Sequence, residues 1–144
     1  MTDEARNAML NEHNRLRSLV AKGLAENPKG DNGYAPKAAR MLKMVYDCKI
    51  EESASRHAQK CSFEKSGISE RPGLGENLFQ VSGMRRNFSE IGIWATQSWF
   101  SQLKEEGVQP HNRFTWVVAN QHFTVSQYTQ VNGTYLYYFS STEL

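Results

Sequence analysis

The hydrophobic period of this chain of 144 residues changes once along its length. Up to Gly107, apolar residues return every three or four positions; beyond it they gather into short runs rich in aromatic and β-branched side chains. Helices first and strands last predict an α+β domain, with helices packed on an antiparallel sheet. At 16.4 kDa the chain is long enough to bury one real core and too short for two, so a single domain over residues 1–144 is expected.

Met9, Leu10, His13, Leu16, Leu19 and Val20 predict an amphipathic helix over residues 3–22, ended by Gly23, with Arg6, Glu12, Arg15 and Arg17 on its other faces. Residues 26–36 hold two Pro, two Gly and three Asn or Asp, which reads as a surface loop. Met41, Met44 and Val45 follow, and Asp47 then stands as N-cap to a helix carrying Ile50, Ala54, Ala58 and Cys61. The string Arg71-Pro72-Gly73-Leu74-Gly75 is a turn. Asn87 and Glu90 have capping-box spacing ahead of Ile91, Trp94, Ala95, Ser98, Trp99 and Leu103, whose two tryptophans should anchor that helix in the core. Residues 114–118 and 122–131 read as strands, and Asn132-Gly133 is a hairpin signal before a last strand at residues 134–139.

Charge excludes one class of function. Lys and Arg number 17 and Asp and Glu 15, a net charge of +2, and both signs are interspersed, which argues against a nucleic-acid partner. No apolar stretch approaches the roughly 18 to 20 residues of a membrane span. The N-terminal residues carry no basic segment followed by an apolar one, as expected of a cytosolic protein or of a mature secreted one.

Cys48 and Cys61 both fall in one expected helix, where 13 residues of rise hold them about 20 Å apart. A disulfide needs its Cα atoms within about 7 Å. Each cysteine is then a buried free thiol, the favoured reading, or awaits a partner on another chain. Asn87-Phe88-Ser89 and Asn132-Gly133-Thr134 are N-glycosylation sequons, although Asn87 serves equally as a helix cap and Asn132 as the first residue of a type I′ turn. His13 and His57 are expected to be structural histidines on apolar helix faces; His111 and His122 have no partner in sequence. No G-x-S-x-G, P-loop or G-x-G-x-x-G string exists, so no nucleophile constellation is offered.

Several strings, in order, resemble one family. Leu10-Asn11-Glu12-His13-Asn14-Arg15-Leu16-Arg17 is similar to the opening L-x-x-H-N-x-x-R of the CAP superfamily of cysteine-rich secretory proteins, insect venom antigens and plant pathogenesis-related proteins. Tyr46-Asp47-Cys48-Lys49-Ile50-Glu51 and Ala58-Gln59-Lys60-Cys61-Ser62-Phe63 are similar to the nematode activation-associated secreted and venom allergen-like proteins. Gly75-Glu76-Asn77-Leu78 matches the family's GENL, and Ser98-Trp99-Phe100 its SWF. Arg113-Phe114-Thr115-Trp116-Val117-Val118-Ala119 is set on the family's H-F/Y-T-Q-V-V-W, Val125-Ser126-Gln127 on V-G-C, and Leu136-Tyr137-Tyr138-Phe139-Ser140 on its last strand.

The resemblance implies a three-layer α-β-α sandwich, helices flanking an antiparallel sheet. It also implies a cleft of two His and two Glu able to bind a divalent metal. Carried over by position, those four are Lys65, Glu76, Gln102 and Arg113. A lysine, an arginine and a glutamine supply neither imidazole nor carboxylate, so no metal and no other cofactor is expected there. Lys65 and Arg113 flanking Glu76 are expected to form a charged network in place of a metal-bridged one, or merely to share the cleft mouth. The family's disulfide partners are absent, with Gln127 and Tyr137 at those places.

By resemblance the chain is a secreted, non-enzymatic effector or interaction protein with an unidentified protein partner, host-directed and immunomodulatory in the manner of its nematode relatives. The alternative is a lipid or sterol carrier, resting on the apolar residues Met41, Leu42 and Met44. The weakest reading is a metal-dependent hydrolase.

Overall fold

The computed structural model describes residues 1–82, 87–113, 115 and 125–132. In chain order the elements are α1 (Asp3–Ala21), α2 (Cys48–Ala58), a 3-10 turn (Ile68–Glu70), α3 (Phe88–Glu105) and α4 (Ser126–Asn132). Among the described residues the only extended pairing is an isolated antiparallel bridge between Glu26 and Tyr34. The expected strands at 114–118 and 134–139 lie outside the described residues, Thr115 apart.

α1 starts where expected, with the Thr2 hydroxyl accepting from the Ala5 N–H at 3.2 Å and Asp3 and Glu4 at the positive end of the helix. Its buried stripe is Ala5, Met9, His13, Leu16, Arg17 and Val20. Arg17 corrects the expectation of an outward arginine. It follows His13 by four positions and so shares the inner face, where its guanidinium donates to the carbonyls of Val131 at 3.0 Å and Leu42 at 2.7 Å.

The side chain of Asp47 caps α2 as expected, accepting from the Lys49 N–H at 2.8 Å. The helix stops at Ala58, short of Cys61, because Gln59 and Lys60 have nothing apolar to bury and Cys61 turns into the left-handed region at φ 50°. Cys48 therefore opens the helix and Cys61 lies beyond its end; both are free and exposed rather than buried. Arg6 and Glu51 join α1 to α2 by two bonds of 2.7 and 3.1 Å. The guanidinium holds the Glu51 carboxyl down to about 2. Between the helices, residues 41–47 are irregular, so the apolar residues Met41, Leu42 and Met44 of the lipid-carrier reading lie on no helix face. Asn14 pins this segment by accepting from the Met44 N–H at 2.8 Å and donating to its carbonyl at 3.2 Å.

α3 begins with Asn87 accepting from the Glu90 N–H at 2.8 Å. Ile91, Ala95, Trp99 and Leu103, spaced four apart, are its buried stripe. Five positions turn a helix through about 140° beyond one full circle, so Trp94 cannot share that stripe with Trp99. It lies at the surface, edge-on to Phe79 at 5.2 Å, and one tryptophan rather than two anchors the helix. α1 crosses α3 where Gly92 meets Met9: a Cβ on Gly92 would sit 2.3 Å from Met9 Cγ, so only glycine lets the helices approach this closely.

Residues 126–132 form a helix, not the expected strand. Val125, Tyr128 and Val131 are all buried, a three-residue spacing that suits helix packing against α3. Asn132 falls within this helix, and the remainder of the hairpin expected at Asn132-Gly133 lies outside the described residues. Tyr128 joins Val20, Leu103, Val108 and Val125 in one core cluster, and Val131 joins Ala95 and Trp99 in another. The loop of residues 26–36 is anchored by buried Asn27, which donates to the Val108 carbonyl at 2.9 Å and accepts from the Val108 N–H at 3.0 Å.

Candidate functional site

The cleft is built on the segment Gly75-Glu76-Asn77-Leu78, which runs between the turn after α2 and the start of α4. Glu76 is 1% exposed. One of its oxygens accepts from the Ser66 N–H at 2.8 Å and the other from the Ser66 hydroxyl at 2.7 Å. Two cationic or potentially cationic groups stand just outside hydrogen-bond reach, Arg71 Nε at 3.7 Å and His57 Nε2 at 3.9 Å. His57 is a structural residue, as expected: its Nε2 faces the carbonyl of Glu64 at 2.7 Å and donates there. Arg71 donates to the Leu74 carbonyl at 2.7 Å. A buried carboxylate is thus held by a hydroxyl and an amide, with a guanidinium and an imidazole close by.

Sequence reasoning missed Ser66, His57 and Arg71 as the neighbours of Glu76. Ser66 adjoins Lys65, so the register was near; the alternation of the chain sends Lys65 to solvent and Ser66 inward. No hydrogen bond or ion pair joins any two of Lys65, Glu76, Gln102 and Arg113 among the described residues. Arg113 is exposed, and its bond is from its main-chain N–H to His111 Nδ1 at 3.1 Å. The expected charged network of Lys65, Glu76 and Arg113 is therefore replaced by one built from Ser66, His57 and Arg71.

Gln102 meets a different residue. Its Oε1 accepts from the N–H groups of Gln127 at 3.0 Å and Tyr128 at 3.1 Å, and its Nε2 donates to Gln127 Oε1 at 3.2 Å. Gln127 Nε2 in turn donates to the Leu78 carbonyl at 3.1 Å, which also accepts from Trp99 Nε1 at 2.9 Å. Asn77 donates to the Gln127 carbonyl at 2.9 Å. Gly75 adjoins the seam: a Cβ there would lie 1.9 Å from the Gln130 amide oxygen, so a larger residue would have to turn that side chain aside. α3, the segment of Glu76 and α4 are in this way locked by amides.

Of the other singled-out residues, His13 is buried, with Nδ1 2.9 Å from the Met9 carbonyl, which places it in the structural role expected. His111 is an exposed loop residue and His122 lies outside the described residues. Asn87 is exposed and spends its side-chain oxygen on the cap; Asn132 ends α4.

A helical layer around a GENL segment, closed by the SWF helix, defines the class of protein. The model of the cysteine-rich secretory protein (CAP) family matches residues 10–141, and the chain belongs to that family. It is 45% identical to Ancylostoma secreted protein of Ancylostoma caninum over 132 residues, 91% of this chain and 31% of that protein. With venom allergen 3 of Solenopsis invicta it shares 31% over 106 residues, 72% of this chain and 44% of the relative. The crystal structure of Na-ASP-1 superposes with a TM-score of 0.83 at 44% identity, covering 92% of this chain and 33% of that one. That of NaASP2 with Zn2+ gives 0.83 at 39%, covering 92% and 67%. The chain thus spans less than half the length of these two sequence relatives.

The zinc in one of these structures poses a chemical question that the donors here answer. Zinc takes thiolate, imidazole or carboxylate. Glu76 is a carboxylate with both oxygens engaged by Ser66, Gln102 and Gln127 are neutral amides bonded to each other and to backbone, and Lys65 has no lone pair as an ammonium. Among the described residues no group of three or more His, Cys, Asp or Glu gathers as a metal site would require. The set does not fit the ion.

Proposed function

We propose that this chain is an extracellular interaction protein of the CAP family that acts by binding a partner through its surface rather than by chemistry in its cleft. The observation that carries this reading is the closure of Glu76. A catalytic carboxylate must reach a substrate, and this one is 1% exposed with both oxygens occupied. Nor do Ser66, His57 and Glu76 make a triad: the hydroxyl donates to the carboxylate and the imidazole to a main-chain carbonyl, so no base takes the serine proton. The stretch that carries Ser66 instead exposes two large apolar side chains, Phe63 at 58% and Ile68 at 77%, among the charged Glu64, Lys65 and Glu70. Relatives named as a secreted protein, a venom allergen and a salivary antigen support delivery outside the cell; a host protein is the partner this reading takes. No described helix is long and apolar enough to cross a membrane.

The test expresses the chain behind a secretion leader and measures binding of the purified protein to host cells. Saturable binding that falls at least tenfold in Phe63→Asp with Ile68→Asp, at unchanged melting temperature, supports the reading. Binding untouched by that pair, or peptide or ester turnover abolished by Ser66→Ala, overturns it.

A second reading, the lipid or sterol carrier, has one feature in its favour. A pocket lies between α1, residues 44–47 and α2, lined by Met9, Leu10, Met44, Val45, Ile50 and Ala54 among others. Its volume of 70 Å³ takes a fragment of a few carbons, far below the roughly 300 Å³ at which sites for whole small molecules begin. Fluorescent fatty acid bound saturably and displaced by cholesterol would promote this reading over the first.

A further inference from the structure

The family string H-F/Y-T-Q-V-V-W fits this chain in two places. Set on residues 113–119 it matches Phe114, Thr115, Val117 and Val118; set on residues 127–133 it matches Tyr128, Thr129, Gln130 and Val131. Four matches each leave the string undecided, and the geometry decides. Gln102, which stands three residues after Trp99 where the family has glutamate, bonds to Gln127 through both its amide oxygen and its amide nitrogen. Arg113 is exposed and touches neither Gln102 nor Glu76.

We propose that the Gln102–Gln127 pair replaces a Glu–His metal-holding pair, with Gln127 and not Arg113 as its fourth member, so that amide hydrogen bonds do the joining of α3 to α4 that an ion would otherwise do. The chemistry of the exchange is consistent at both positions. Glutamine keeps the length of glutamate and its acceptor oxygen, which here receives the N–H groups of Gln127 and Tyr128 in the first turn of α4. It also adds a donor, and that donor satisfies the side-chain amide oxygen of Gln127 directly. A carboxylate facing a second acceptor would need a cation or a proton between them; two amides need neither. Gln127 cannot swing away, because its own amide nitrogen is held by the Leu78 carbonyl that Trp99 also uses. Zinc becomes unnecessary at this seam as well as unwelcome, since neutral amides are poor ligands for it.

The test uses the full chain and zinc chloride, with bound metal measured after equilibrium dialysis and melting followed by circular dichroism. Three proteins are compared: the natural chain, Lys65→His/Gln102→Glu/Gln127→His, and Lys65→His/Gln102→Glu/Arg113→His. The expected result is no stoichiometric zinc on the natural chain, one zinc per chain on the Gln127 variant with a melting temperature that EDTA lowers, and none on the Arg113 variant. One zinc per natural chain, lost on Glu76→Gln, overturns the proposal; so does zinc on the Arg113 variant, or on neither variant when both are folded. Should the triple variants fail to fold, amide exchange serves. Gln102→Ala is expected to speed exchange of the Gln127 and Tyr128 N–H groups at least tenfold and Arg113→Ala to leave them unchanged; the reverse order overturns the proposal.

Discussion

The imidazole of His13 is held against the carbonyl oxygen of Met9, Nδ1 to oxygen at 2.9 Å, inside the seam between α1 and α3. The Thr96 hydroxyl lies 3.3 Å from the same nitrogen and donates its own hydrogen bond to the Gly92 carbonyl. Burial, reinforced by the neighbouring Arg17 charge, pushes the imidazole down to about 4 from an ordinary 6.5.

A depressed histidine makes folding pH-dependent in a definite direction. Between those two values the unfolded chain takes up the proton and the folded one does not, so the stability present above pH 6.5 is lost progressively as the pH falls towards 4. The expected loss from His13 between pH 7 and pH 5 is about 2 kcal/mol. Urea midpoints at the two pH values measure it, and His13→Gln should flatten the difference by that amount. An unchanged difference in the variant would show that His13 is not the group responsible.

Arg17 should be the least replaceable charge in the molecule. Its guanidinium, 5% exposed, donates to the carbonyls of both Val131 and Leu42, so Arg17→Leu takes a charged donor from each and should cost about 3 kcal/mol. Arg17→Lys should recover less than half, because one compact ammonium cannot match two carbonyls in a fixed fork. Full recovery by lysine in urea denaturation would mean that charge alone, and not the fork, is what the site uses.

Gly92→Ala should destabilise by about 1 to 2 kcal/mol through overpacking against Met9. The diagnostic quantity is the coupling. With Met9→Ala in the same chain, the added alanine methyl has room, so the double variant should be more stable than the sum of the two single losses by about 1 kcal/mol. Strict additivity would place the clash elsewhere.

Both thiols should react with Ellman's reagent in the native state, two per chain within minutes and without denaturant, because Cys48 and Cys61 are free and exposed. Replacing either by serine should change stability by less than about 0.5 kcal/mol. A thiol that reacts only after urea is added would contradict its placement.

What the sequence disclosed follows a simple division. Elements specified by local chemistry were legible: the caps at Asp47 and Asn87, the stripe of α1, and the turn at Arg71 are set by neighbours within a few residues. α4 was not, because Val125, Tyr128 and Val131 are residues that strands favour, and their three-residue spacing reads as helical only when α3 is present to bury them. At the site, Glu76 was legible from its string, whereas its partners come from positions 57, 66 and 71, whose convergence depends on where α2 stops. Arg113 was placed by a string that fits twice, and Gln127 could have been weighed against it from the same four matches.

The bond from Arg17 to Val131 spans 114 positions of sequence. On a ribosome the donor emerges first, and its Val131 acceptor follows only when α4 has been made. α1 cannot settle into its final packing in that interval. Final packing of α1 is thus tied to the synthesis of α4, and nascent fragments ending before α4 are the species most exposed to chaperones and proteases.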